Sequence, residues 1–77
     1  MSEIRANTTG SVWKILVAVG DEVAPGQEVA ILESMKMEIP VEAETAGRVT
    51  AVLVQEGASV QQDQPLIVLQ APLRLFE

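Results

Sequence analysis

Apolar residues along the chain come in short runs, and each run is closed by Gly, Pro or a polar cluster. Between residues 11 and 19 they occupy four of the five odd and three of the four even positions. Alternation therefore assigns no face there, and a buried strand cannot be told from a buried helix by period alone. Spacing decides instead. Gly or Pro at 10, 20, 25, 26, 40, 47, 57, 65 and 72 leaves 27–39 as the one stretch long enough for a helix.

The chain also repeats. Shifted by 37 positions, residues 4–32 align without a gap on 41–69, with ten identities: Ala6/Ala43, Thr8/Thr45, Gly10/Gly47, Val12/Val49, Leu16/Leu53, Val17/Val54, Gly20/Gly57, Val23/Val60, Gln27/Gln64 and Leu32/Leu69. An ungapped match of this kind marks an internal duplication. The segment equivalent to 29–32 contains Ile67-Val68, which favours a strand, so 29–32 is read as a strand too. Each copy is then strands broken by turns, with Gly20 and Gly57 where a positive φ is wanted. Two all-β halves, each with an apolar side it cannot bury alone, most simply pack face to face about a pseudo-twofold axis. The prediction is a single all-β domain over 1–77, a flattened barrel or sandwich.

Residues 33–40, ESMKMEIP, link the copies, and 70–77 form a tail. Adding 37 to 36 gives 73, so the linker is the pseudo-equivalent of the place where the termini lie. A twofold axis puts the two at opposite ends of the domain, with Lys36 pointing away from the termini. To join neighbouring strands the linker must extend them and reverse, with Met35-Lys36 or Lys36-Met37 at the tip. A lysine there is an accessible amine on a long stem, suited to covalent attachment. Lys36 as a plain solubilising charge, with Met35 and Met37 as core filler, is the competing reading. Methionines at a tip have no core beneath them, and exposed thioethers are poor for solubility, so they mark a recognised surface. Lys14, the other lysine, lies inside the first long run and has Ala51 as its repeat partner.

Composition removes other chemistries. The 77 residues contain no Cys and no His, hence no disulfide, thiol nucleophile, imidazole base or usual zinc set. Eleven acidic against five basic residues give a net charge of −6, which repels phosphate backbones and anionic lipid and argues against nucleic-acid or membrane partners. The opening MSEIRANTTG lacks the apolar core of a secretion signal, so a cytoplasmic protein is expected.

At Glu33-Ser34-Met35-Lys36-Met37-Glu38 the sequence resembles the biotinyl domain of biotin-dependent carboxylases, and the likeness extends over about residues 3–70 through Gly10, Gly20-Asp21, Pro25-Gly26-Gln27, Pro40 and Gly47. The resemblance implies a barrel-sandwich hybrid of two four-stranded antiparallel sheets. It implies biotin joined by an amide to Lys36, with Met35, Met37, Glu33 and Glu38 read by biotin protein ligase. It further implies a non-catalytic biotin carboxyl carrier protein that moves CO2 from a biotin carboxylase subunit to the carboxyltransferase of an acetyl-CoA carboxylase or related enzyme. Ser34 stands where alanine is commoner, Asn7-Thr8-Thr9 where many relatives have Pro-Met-x, and the ungapped repeat leaves no place for an inserted thumb. A lipoyl carrier and an unmodified hairpin adaptor, docking through 72–76, are the alternatives.

Overall fold

The computed structural model describes residues 2–71, and the tail positions 72–77 lie outside them. Eight strands follow in order: β1 (Ser2–Arg5), β2 (Gly10–Ile15), β3 (Glu22–Val23), β4 (Glu28–Ser34), β5 (Met37–Glu42), β6 (Gly47–Val52), β7 (Ser59–Val60) and β8 (Pro65–Gln70). They form two antiparallel four-stranded sheets, ordered β1-β8-β6-β3 and β5-β4-β2-β7. No helix occurs among the described residues, and 27–39, the one helix candidate by length, is a strand, a turn and a strand.

The duplication is visible in the hydrogen bonds. Gly20 N–H donates to the Val49 carbonyl at 2.8 Å, and Gly57 N–H to the Val12 carbonyl at 2.7 Å. The Gln27 carboxamide accepts from Ala24 N–H at 3.0 Å, as Gln64 does from Gln61 N–H at 3.0 Å. Even the irregularities are copied: the β2–β4 register shifts between Val12 and Lys14, and the β6–β8 register between Val49 and Ala51. Such bulges bend strands and raise their twist, which lets two small sheets close on each other.

The copies do not each make one sheet, as face-to-face packing of two halves would have it. Each sheet takes two strands from each copy. The reason lies in the apolar run at 11–19, which is not a single strand. Its ladder with β4 ends after Leu16 N–H donates to the Val29 carbonyl. The chain then crosses to the other sheet, where Val49 N–H donates to the Asp21 carbonyl. Residues 53–58 make the reverse crossing, and Val12 N–H donates to the Ala58 carbonyl. From this run the core takes Val12, Ile15 and Val17, a change of parity at the bulge, while Trp13, Leu16 and Val19 are exposed, which is why its pattern had no period.

Between the sheets lies one core that includes the identical pairs Ala6/Ala43, Val12/Val49, Val23/Val60 and Leu32/Leu69, all buried. Leu32 and Leu69 are pseudo-symmetric core residues near the ends of β4 and β8. Gly20 and Gly57 have φ of 98° and 91°, a conformation that side chains resist.

Candidate functional site

β4 and β5 form the longest ladder, six pairs running from Glu28↔Glu42 to Ser34↔Met37. The chain reverses through Met35 and Lys36, the first of the two expected tips. Both residues are left-handed, with φ of 53° and 65°. Positive φ at both central positions is the type I′ geometry, whose twist matches that of paired strands and which usually selects Asn-Gly. For other side chains the left-handed region costs about 1–2 kcal/mol per residue. Met-Lys is thus a poor local choice for this turn, imposed by the ladder below it and by Leu32, buried at the hairpin's base. Where local preference and global fold disagree on an exposed residue, a requirement other than folding selects that residue.

No described residue covers the tip. Met35 is 91% exposed and Met37 62%, so the core-filler reading fails and the methionines stand in solvent on either side of Lys36. Among the described residues the ion pairs are Arg5–Glu3 and Arg48–Glu22. The Lys36 ammonium is bound to neither Glu33 nor Glu38. Those two carboxylates belong to residues directly opposite each other in the ladder. Because the preceding pair, Leu32↔Ile39, turns inward, Glu33 and Glu38 turn outward on one face. Like charges facing each other across a pair of strands destabilise it, a second local conflict beside the same lysine.

The arm is held stiffly from below. Gly10, at the start of β2, packs so closely that an added Cβ would overlap the Glu33 carbonyl oxygen and meet the Ser34 Cβ at 3.3 Å. The repeat identified Gly10 but gave no sign of this contact. From the other sheet, Asn7 Nδ2 donates to the Pro40 carbonyl at 3.0 Å. β1 and β5 run in opposite directions here, since Asn7 reaches Pro40 while Ser2, Glu44 and Thr45 line one cleft. Ser2 in turn pairs with Leu69. The tip, beyond Pro40 on the side away from Ser2, is therefore at the pole opposite the ends of β1 and β8, as the repeat arithmetic requires.

Lys14 offers a contrast. It sits within β2 opposite Ile31, its Nζ 5.6 Å from the centroid of the Trp13 ring. Trp13 is the extra residue of the β2 bulge, half-exposed, where the second copy has Thr50. The cleft of about 330 Å³ lies between β1 and β5 and includes none of Glu33, Met35, Lys36, Met37 or Glu38. The candidate site is a projection and not a pocket. Among the described residues no group of three or more His, Cys, Asp or Glu could hold a metal ion, and no helix is long and apolar enough to cross a membrane.

A protruding primary amine with no ion-pair partner among the described residues suits amide formation with a carboxylic acid. The chain is similar to several known proteins. It is 50% identical over 60 residues to the biotin/lipoyl attachment protein of Bacillus subtilis, covering 78% of this chain and 82% of that one. It is 43% identical over 74 residues to the biotin carboxyl carrier protein of acetyl-CoA carboxylase from Nostoc sp., covering 87% of this chain and 41% of that one. The urea carboxylase of Kluyveromyces lactis superposes on 90% of this chain with a TM-score of 0.84 and 35% identity, although this chain spans only 6% of it. The model of the family described as biotin-requiring enzyme matches residues 2–69, nearly all of the described structure, so the chain belongs to the biotin/lipoyl attachment family.

Proposed function

We propose that the protein is a biotin carboxyl carrier: Lys36 is acylated by biotin, and the domain presents the group to the active sites of a biotin-dependent carboxylase. The observation that carries this reading is the left-handed Met35-Lys36 turn, which holds a free amine in water between two exposed methionines against the turn's own preference.

Each residue then has a role. Lys36 supplies the nucleophilic Nζ for an amide bond made by biotin protein ligase and afterwards serves as the tether. Met35 and Met37 give the ligase two exposed apolar contacts, one on each side of the lysine. Glu33 and Glu38 place negative charge on one face of the arm, within a footprint centred on Lys36. Gly10, Leu32 and Asn7 keep the hairpin rigid, so the arm pivots at the lysine side chain and not in the backbone. When bound, biotin supplies the ureido nitrogen that accepts and releases CO2, and the protein contributes presentation. The lysyl-biotin arm of roughly ten single bonds spans on the order of 12–15 Å. Active sites farther apart than that are served by movement of the whole domain. The partners in this reading are a biotin carboxylase and a carboxyltransferase acting on an acyl-CoA or related acceptor, and the domain itself catalyses neither step.

The test is co-expression with biotin protein ligase, followed by intact mass and streptavidin blotting of wild type, Lys36→Arg and Lys14→Arg. Label is expected on wild type and Lys14→Arg and is lost in Lys36→Arg. Label that survives in Lys36→Arg refutes the site, and a lipoyl mass with no biotin mass, when both ligases are present, refutes the choice of cofactor.

A further inference from the structure

We infer that Met35 and Met37 form an oxidation-sensitive gate on the attachment of biotin to Lys36, so that a hydroperoxide withdraws the protein from modification without unfolding it. The inference rests on the carrier reading and deepens it by adding a second, reversible modification to the same hairpin.

Susceptibility of a thioether follows its exposure, and these two are the most accessible apolar contacts near the amine, at 91% and 62%. Neither packs in the core, so no barrier of unfolding protects them. In the reaction each sulfur gives two electrons to the peroxide: the O–O bond breaks, an S–O bond forms, and the remainder leaves as water from hydrogen peroxide or as an alcohol from an organic hydroperoxide. A soft, flexible, apolar side chain becomes a polar and chiral sulfoxide. At a buried site that change would damage the fold. Here it alters only the surface a ligase must dry out to reach Nζ, and it does so on both sides of the lysine. The step is undone by a thiol-dependent sulfoxide reductase, which returns the sulfur to the thioether, oxidises two thiols to a disulfide and releases the oxygen as water. The turn sets an order: Met35, at the tip, oxidises before Met37, which begins β5 and pairs with Ser34.

The experiment treats unmodified protein with graded hydrogen peroxide, locates the added oxygen by peptide mass mapping, and measures the rate of biotin transfer by ligase with ATP. Oxygen is expected first on Met35 and then on Met37. Full oxidation should lower kcat/KM for modification by about tenfold or more while circular dichroism and Tm stay unchanged. Sulfoxide reductase should restore the rate, and the Met35→Leu, Met37→Leu double variant should keep its own untreated rate after peroxide. Equal rates for oxidised and reduced wild type overturn the gate while leaving the carrier reading intact. So do a loss of fold on oxidation and an equal loss in the double variant, which would place the damage elsewhere. Failure of the untreated protein to take biotin at all overturns both.

Discussion

The type I′ turn carries a quantitative test of the claim that Met35-Lys36 is there for chemistry and not for folding. Both residues are left-handed, and both side chains are in solvent, so replacing them removes almost no packing. Asn at 35 relieves about 1 kcal/mol, since its short polar side chain tolerates the left-handed region. Gly at 36 relieves about 1–2 kcal/mol, offset by about 0.5–1 kcal/mol of added freedom in the unfolded chain. The Met35→Asn, Lys36→Gly double variant should therefore be more stable than wild type by about 1–2 kcal/mol. In a domain of this size each kcal/mol moves Tm by about 4–8 °C. Thermal unfolding followed by circular dichroism, with urea titration to check that the m-value is unchanged, measures the gain. The variant should also take no biotin. A Tm equal to or below that of wild type would show that the turn is not strained, and the inference from strain to function would lose its footing.

Three further outcomes follow from the geometry. Gly10→Ala forces a Cβ into the Glu33 carbonyl and should cost about 1–3 kcal/mol, more than Gly20→Ala, where the strain is conformational and no atom lies within 4 Å; equal Tm losses would dismiss the close approach. The Glu56 carboxylate accepts from Ile15 N–H at 3.0 Å, whereas its repeat partner is Val19, 64% exposed. Val19→Glu should supply the equivalent bond to Val52 N–H and raise stability by about 0.5–1.5 kcal/mol in a urea titration, and a loss would show the pseudo-symmetry broken there. Met37→Leu should leave Tm within about 2 °C, because the swap conserves volume at an exposed position, yet slow biotin transfer; a large fall in Tm would put Met37 in the core.

Several of the repeated identities were legible as pairs and acquire their reasons only in the fold. Val12/Val49, Val23/Val60 and Leu32/Leu69 are core, Gly20/Gly57 are turns of positive φ, and Gln27/Gln64 each bridge a tight turn with a side-chain carboxamide. Gly26 and Asp63 are also equivalent positions with φ of 84° and 71°, although the residues differ. A shared conformation can thus persist where identity does not. The expectation of two halves packed face to face missed the interlocking because nothing local distinguishes a strand of nine residues from a strand of six followed by a crossing.

By itself the sequence determined that Gly and Pro break the chain into short segments, that the chain is duplicated, and that a lysine between two methionines sits midway between the copies. Those properties depend on residue type and spacing along a few consecutive positions. Only the tertiary structure decided which copy lends a strand to which sheet, that Gly10 must lack a side chain beneath Glu33, and that Glu33 faces Glu38. It also decided that Met35 and Lys36 hold a conformation neither prefers. The sheet assignment and the Gly10 contact join segments distant in the chain, the Glu33–Glu38 pairing follows from the register of the hairpin, and it is the combined energy of the ladder and core that overrides the local preference of two residues in a turn.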